Sequence, residues 1–487
     1  MTPPMPDLRR PAAVAGLIVV LLALKSWITA AAGLELHFDE AQYWEWSQQL
    51  DWSYYSKGPL VAWLIAASTT LFGHGEWQVR LFAWLASAVF LILLYALTLH
   101  VWNDHRAAWW TVILALTTPL YFTLGLVMTT DMFMLTCWTW ALWASYRALI
   151  DNRQRAWLEA GAAVGLGALT KLSIGLLPFF VGLLVLLTPA WWHHLRSKQL
   201  WLGLGLMLLC MSPMLLWNAA NDWVMLRHEG GHVEHAEWSL TRALEFLAGQ
   251  WLALSPLVVI LAIMALWRRP QPSGQRLLWY VSCAGLAFFI LKAASDKVQL
   301  NWPSPVYIGF IVLFAGHIAR FTTGRLRLFY GALAISVVMI VVGTFAERFG
   351  LAGKQDPLRK LKYWSAPISE IAAQSPQAQF VLTDTYRLAG ELAFYWPERI
   401  AVYVTGNADR RFNQHDLWSP IDREAGRNGV YISQKRNPPP ELAQAFEQCQ
   451  PLEPLKITAT NGSYIRTLYA HRCEGYQPIL WPIPQRY

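Results

Sequence analysis

The chain has 487 residues, of which 55% are hydrophobic and only 14% charged. Soluble domains carry about 25% charged residues, so this composition excludes an ordinary soluble protein and reads as a multi-pass membrane protein. The net charge of +8 is spread over short loops without a basic helix or a basic–aromatic repeat, so nucleic acid is not an expected partner.

The first apolar run, residues 11–34, is too long for a cleavable signal and has no convincing small-residue cleavage site. It is expected to stay as a span. Directly after it comes Leu36-His37-Phe38-Asp39-Glu40-Ala41-Gln42-Tyr43-Trp44, followed by Tyr54-Tyr55-Ser56-Lys57-Gly58-Pro59-Leu60. Two carboxylates and a lysine thus crowd one loop at the membrane surface, where ionisable groups are costly and mark a functional site. A solvated linker is the bland alternative. The tryptophans and tyrosines between residues 43 and 55 fit a pocket wall beside lipid better.

Further runs near 78–101, 107–127, 132–149, 156–172, 174–191, 200–218, 244–267, 277–292, 302–319 and 328–346 bring the expected spans to eleven. The run from Leu60 to Phe72 is short for a span and reads as an interfacial or re-entrant helix. Loop charge supports that choice. With a cytoplasmic N-terminus, Arg9/Arg10, Arg106, Arg153/Arg155, Arg196/Lys198, Arg268/Arg269/Arg276 and Arg320/Arg325/Arg327 all fall inside. Counting residues 60–72 as a span would reverse every later loop.

An odd number of spans places residues 347–487 outside, where turn-rich stretches alternate with runs such as Gln379-Phe380-Val381-Leu382-Thr383. The expected organisation is a transmembrane catalytic domain over residues 1–346, with outer loops 35–77, 219–243 and 293–301. A mixed α/β domain follows on the periplasmic side of a bacterial inner membrane. Cys137, Cys210 and Cys283 lie in expected spans, whereas Cys449 and Cys473 lie in the exported part, where a disulfide persists. Asn461-Gly462 between them marks a hairpin turn that folds the chain back and brings the two sulfurs together.

Polar residues converge on the outer face. Asp131, in Met128-Thr129-Thr130-Asp131-Met132, reads either as a helix N-cap or as a site carboxylate. His228, His232, Glu234 and His235 in the fourth outer loop read either as metal ligands or as a protonatable rim. Lys297 stands beside Gln299 and Asn301, and Lys171 is either a snorkelling lysine or part of the same site. Carboxylates with Lys and Arg beside lipid suit a reaction on a phosphate-bearing lipid: cations stabilise the phosphate and a carboxylate takes a proton from an acceptor hydroxyl. The nearly charge-free spans disfavour ion-coupled transport, and a flippase or transporter of lipid-linked glycans is the runner-up.

In order and placement these segments resemble polytopic GT-C glycosyltransferases of the dolichyl-phosphate-mannose protein mannosyltransferase type, including bacterial lipid A aminoarabinose transferases. Asp39-Glu40 with Tyr43-Trp44 looks like the family's first-loop acidic motif, and Thr130-Asp131-Met132 like its second-loop motif. Tyr54 to Leu60 resembles Tyr-x-x-Lys-Pro-Pro-Leu, and Gly165 to Lys171 resembles Gly-Leu-x-x-Leu-Thr-Lys. Lys297 to Pro303 resembles Lys-x-x-Tyr-x-x-Pro, and Arg411 to Trp418 a tail motif of bacterial members.

The resemblance implies an inverting transfer from a polyprenyl-phosphate sugar to an envelope acceptor (lipid A, another glycolipid, a glycan or a protein) at the periplasmic face. It implies Asp39 as the base or acceptor-orienting carboxylate, with Glu40 and Asp131 in support. Lys57 and Arg227, with Tyr54 and Lys297, would hold the donor phosphate. No nucleotide or redox cofactor is implied; a divalent metal is an open alternative. The sequence departs from the pattern at Ser56, where some relatives are acidic, at Gly58, where the pattern has proline, and at Gln299, where others have tyrosine.

Overall fold

The computed structural model describes residues 6–230, 238–267, 273–406, 412–418 and 420–484. Its N-terminal part is helical. In chain order the helices are α1 (Pro11–Ala31), α2 (Phe38–Ser47), α3 (Leu60–Phe72), α4 (Glu76–Trp102), α5 (His105–Thr117), α6 (Pro119–Leu124) and α7 (Thr130–Leu149). Then come α8 (Ala156–Ala168), α9 (Leu176–Leu187), α10 (Lys198–Ala220), α11 (Val224–Gly230), α12 (Leu240–Leu254), α13 (Pro256–Leu266), α14 (Ser273–Ser295), α15 (Tyr307–Ile318) and α16 (Thr323–Thr344).

Every expected apolar run falls on helix, but the spans are less regular than eleven straight crossings. Among the described residues five helices, α1, α4, α10, α14 and α16, are long and apolar enough to cross a membrane unaided. Two bent pairs raise that to seven: one breaks by 118° between Leu187 and Pro189, the other by 100° between Leu254 and Pro256. Proline explains both breaks. It lacks the N–H that would continue the helix and steers the preceding residue away from helical geometry; Thr188 accordingly sits extended at φ −118°, while Ser255 leaves the helix at φ 72°. Val19, Val20 and Trp27 on α1, and Leu208, Leu209 and Leu216 on α10, are exposed, an outward apolar surface that a bilayer covers. Helix α3 spans 13 residues, Leu60 to Phe72, among the shorter apolar helices.

The C-terminal part is α/β, with α17 (Ser365–Gln374) and α18 (Tyr386–Tyr395) beside strands β1 (Phe380–Thr383), β2 (Ala401–Val404), β3 (Gly429–Ser433), β4 (Phe446–Pro451), β5 (Leu455–Thr458) and β6 (Tyr464–Tyr476). The sheet order is β2-β1-β3-β6-β4, with β5 also on β6; β1 is parallel to β2 and β3, and β6 antiparallel to its neighbours. The continuous apolar run of β1 is buried on both faces, as a central parallel strand requires. The chain does turn at Asn461-Gly462, with Gly462 at φ 80°, and returns as β6. Strand β6 then runs back along β4 in a register that sets Cys449 opposite Cys473, and a disulfide joins them at a Cα separation of 4.1 Å.

This α/β unit docks on the first outer loop. A Cβ on Gly390 of α18 would lie 2.7 Å from the backbone nitrogen of Gln42, so only glycine lets α18 lie flat on α2. The Tyr395 hydroxyl accepts from Leu36 N at 2.7 Å and donates to Glu76 at 3.2 Å. Glu35 accepts from the backbone N–H of Trp364 and from the hydroxyl of Ser365. At the centre of the contact Glu391 is fully buried, and neither carboxyl oxygen has a hydrogen-bond partner.

Burial drives the Glu391 pKa well above the usual carboxylate value; Arg466 and Arg80 oppose the shift, while Glu35 and Glu40 reinforce it. From the ordinary pKa near 4.5 upward to that raised value, the folded chain holds a proton that the unfolded chain has lost, so this group removes stability as pH rises. Thermal unfolding of the purified protein at pH 5 and pH 8 checks this. Glu391→Gln should flatten the fall in melting temperature between the two. An unchanged slope would mean that the carboxyl ionises there without cost.

Candidate active site

Helix α2 starts on a capping box: His37 Nδ1 accepts from Asp39 N at 3.3 Å, and Glu40 Oε2 accepts from His37 N at 2.9 Å. The box turns the two acidic residues apart. Glu40 points inward with no exposed surface, and Arg80 of α4 donates Nε to Oε1 and Nη2 to Oε2, both at 2.8 Å. Oε1 also accepts from Met128 N at 2.7 Å, while the other Arg80 donor bonds reach Leu34 O and Glu35 O. Glu40 therefore joins three segments: α2, α4 and the turn before α7. Asp39 points the other way, its side chain 37% exposed and 3.5 Å from His37 Nδ1.

Asp39 lines a cavity of about 1620 Å³ between the helical part and the α/β unit. Asp131 lines it too, and is no mere cap. Thr129 takes the N-cap position of α7, while the buried Asp131 carboxylate accepts from Lys171 Nζ at 2.7 Å and Asn301 Nδ2 at 2.9 Å. Lys171 is thus paired in the site instead of snorkelling to solvent. Tyr43 lines the cavity as well; burial first, then the carboxylates of Asp39 and Asp131, push its pKa well above the ordinary value and hold it protonated. Lys57 reaches the cavity and lies 3.4 Å from Glu229.

Gly58 explains its own departure from the proline pattern. A Cβ there would sit 2.2 Å from the Leu169 carbonyl oxygen, and Leu60 N donates to that same oxygen at 3.1 Å. The segment carrying Lys57 therefore presses directly on the backbone of the segment carrying Lys171.

Three expected phosphate ligands stand elsewhere. Tyr54 is fully buried, stacked on Trp46 at 4.6 Å and donating to Trp46 O at 3.0 Å, so it anchors the loop while Tyr55 faces the cavity. Arg227 is exposed on α11 and does not line the cavity; successive helical side chains project about 100° apart, and it is His228 and Glu229 that face inward. Lys297 is exposed on the loop after α14, whereas Lys292, one turn back inside the helix, lines the cavity. His228 packs against Tyr55 with ring centroids 4.8 Å apart. His232, Glu234 and His235 lie outside the described residues, and among those described no group of three or more His, Cys, Asp or Glu side chains stands ready for a metal.

The α/β unit supplies groups that sequence reasoning missed. Lys360, Asp384, Tyr386 and Arg387 line the cavity, beside Asn413 of the tail motif. Lys360 Nζ stands 5.6 Å and Arg387 Cζ 5.1 Å from the centre of the Phe38 ring, the residue before Asp39. Burial works against the Arg387 charge, but its hydrogen bond with Tyr386 and the charge of Asp39 outweigh that and raise its pKa. One signal was present in the sequence. Asp384-Thr385-Tyr386-Arg387 follows the buried strand β1 and opens α18, and open parallel sheets place ligands at such carboxyl ends.

The charged groups share the cavity lining with Leu172, Leu176, Leu252, Phe288, Phe289 and Ile340. Such a mixed lining suits an amphiphile with a charged head and a hydrocarbon tail. Taken together, helices, α/β unit and cavity describe a polytopic membrane protein with a site for an amphiphile. Its sequence and fold are similar to those of polytopic glycosyltransferases. A family model described as dolichyl-phosphate-mannose-protein mannosyltransferase matches residues 56–217. A lipid A galacturonosyltransferase of Rhizobium johnstonii is 28% identical over 372 residues, covering 73% of this chain and 76% of that protein. An undecaprenyl phosphate-alpha-4-amino-4-deoxy-L-arabinose arabinosyl transferase of Pseudomonas fluorescens is 28% identical over 345 residues, 63% of this chain and 60% of that one. The fold is shared with ArnT from Cupriavidus metallidurans bound to undecaprenyl phosphate, at a TM-score of 0.64 and 17% identity over 95% of this chain and 98% of that one. The apo form of the same protein gives a TM-score of 0.63 at 18% identity, over 94% and 98% of the two chains.

Two expectations follow from the packing. Arg80→Ala should lower stability by about 3–5 kcal/mol, since it strands a buried carboxylate, and the double replacement Glu40→Gln with Arg80→Met should recover much of that in thermal unfolding. Gly58→Ala should cost about 1–3 kcal/mol by forcing two backbones apart; a melting temperature equal to that of the unaltered protein would show that the loop yields freely.

Proposed function

We propose that this protein is an inverting glycosyltransferase that moves a sugar from a polyprenyl-phosphate donor to lipid A at the outer face of a bacterial inner membrane. The observation that carries this reading is a cavity of about 1620 Å³ whose lining combines the carboxylates Asp39 and Asp131 and the lysines Lys57, Lys171 and Lys292 with Leu172, Leu176, Leu252, Phe288 and Phe289. The named activities of the relatives, lipid A galacturonosyl transfer and aminoarabinosyl transfer from undecaprenyl phosphate, support it. They also favour chemistry over mere translocation of the lipid. On this reading residues 1–346 form the membrane-embedded catalytic domain. Residues 347–487 form a periplasmic domain that closes the cavity, and their docking on loop 35–77 supports placing both on one side.

The chemistry follows from the charges. The prenyl chain lies along the apolar lining, and Lys57, with Lys171 and Lys292 nearby, faces the donor phosphate. Asp39, the exposed carboxylate, takes the proton from the acceptor hydroxyl. The freed oxygen attacks the anomeric carbon from the face opposite the phosphate; the carbon–oxygen bond to phosphate breaks, and its electron pair leaves with polyprenyl phosphate. The cations stabilise that leaving charge. Asp131, held by Lys171 and Asn301, positions the lysine and does not itself accept the proton. Glu40 positions Asp39 through α2.

Protein in nanodiscs, given a polyprenyl-phosphate sugar and lipid A, should release free polyprenyl phosphate together with glycosylated lipid A. Asp39→Asn should lower kcat about 10²–10⁴-fold while the protein still inserts and folds. Lys57→Ala should chiefly weaken donor affinity, by about 1.5–3 kcal/mol. Near-normal turnover by well-folded Asp39→Asn protein would remove Asp39 from the mechanism, and lipid translocation without release of polyprenyl phosphate would replace the transferase reading with a flippase.

A further inference from the structure

Most of the carboxylates at the cavity already have cationic partners. Asp131 is bonded to Lys171, Glu229 faces Lys57 at 3.4 Å, and Asp384 pairs with Lys435 at 3.0 Å. Asp39 is the exception: its one ion-pair partner among the described residues is His37 at 3.5 Å, with the Arg387 charge felt from farther away, and the proposed transfer uses it. The cations are not all matched in return. Lys360 and Arg387, both on the α/β wall, form no ion pair with any carboxylate among the described residues. Both instead stand over Phe38, within 5.6 Å of its ring, beside Asp39 where bond making is placed.

An aminosugar would need a spare carboxylate at this place, and among the described residues the cavity offers none besides the base. An anion would meet two cations held in position by an aromatic ring, a geometry that costs little side-chain entropy on binding. We propose that Lys360 and Arg387 form an anion subsite of the active site that recognises a carboxylate or phosphate group on one of the two substrates. The group is either the carboxylate of a transferred uronic acid or a phosphate of the acceptor glycolipid. Arg387 receives it as a planar fork and Lys360 as a point charge. This inference rests on the transferase reading, because it assumes that the sugar or its acceptor comes to lie beside Asp39.

The test uses full-length protein in nanodiscs with two donors, a polyprenyl-phosphate uronic acid and the neutral hexose obtained by reducing its carboxyl group. Each is offered with phosphorylated and with dephosphorylated lipid A. Lys360→Gln, Arg387→Gln and the conservative Arg387→Lys are compared, all at exposed positions where the fold tolerates change. For a sugar carboxylate, each Gln variant should lower kcat/KM for the uronic acid donor about 10–100-fold while the neutral donor changes less than about threefold. For an acceptor phosphate, the same loss should appear with both donors and vanish with dephosphorylated lipid A. Arg387→Lys should recover part of the activity in either case.

Equal losses in all four combinations, or no loss in any, would overturn the subsite. Affinity for the two donors, measured by displacement of a fluorescent polyprenyl phosphate, and for the two forms of lipid A, measured by their binding to labelled nanodiscs, read the subsite without turnover. Failure of every combination to turn over would sink the transferase reading. A charge preference in these affinities that the Gln variants abolish would still uphold the subsite, and its absence would sink that as well.

Discussion

The bidentate pair between Glu40 and Arg80 holds the site in place. Two charges without exposed surface are costly to desolvate, and the geometry offsets that cost only because every strong donor and acceptor is used. Glu40 takes two guanidinium bonds and two backbone N–H bonds, while Arg80 adds two carbonyls on the chain leaving α1. Removing either partner leaves a buried charge alone. The pair therefore fixes α2 against α4 and against the turn that starts α7, the elements that carry Asp39 and Asp131. Because Asp39 is the residue before Glu40 on one helix, locking the second carboxylate inward aims the first outward. The two acidic neighbours are a divided pair, one locked in the packing against Arg80 and one facing the cavity.

The α/β unit depends on the same platform. Helix α18 lies close against α2 because Gly390 has no Cβ, and Tyr395 and Glu35 tie the flanking backbones of the two parts. Docking there swings the carboxyl end of β1, with Arg387, over Phe38. The unit is thus a wall of the cavity, and its cations stand within reach of a head group. A shift of α18 along α2 would move Arg387 relative to Asp39, so interface packing and substrate recognition are mechanically one problem.

Much of this was legible in the sequence because it is written locally. Apolar length marked the helices, a capping residue and a glycine marked the starts and turns, and short motifs carried Asp39, Lys57, Asp131 and Lys171. The bends at Pro189 and Pro256 were legible too, yet run length alone counted each bent pair as one straight span. Direction around a helix or loop was not legible. Tyr54 and Tyr55 are neighbours of identical chemistry, and only packing against Trp46 decides that the first is core and the second lines the cavity. Arg227 and Lys297 fail for the same reason: each sits within a few residues of a side chain that does face inward. Lys360 and Arg387 escape for another. Their proximity to Phe38 arises from docking two units more than 300 positions apart in the chain, and no periodicity encodes that.

The pairing of charges along the cavity explains why the charged residues can be so few. In a low-dielectric setting each ion needs its own partner, so carboxylates and lysines come in matched sets and any unmatched charge is expensive unless a ligand completes it. Asp131 with Lys171 and Asn301, and Glu40 with Arg80, are complete before any substrate arrives. Asp39, Lys360 and Arg387 are less so, and they lie around one aromatic ring. Binding a head group there lowers the electrostatic cost of the empty site as well as forming new bonds. On the proposed reading Asp39, Lys360 and Arg387 are thus the charges that a ligand would complete, while Lys57 and Lys171 would extend charge already balanced by Glu229 and Asp131 to the donor phosphate.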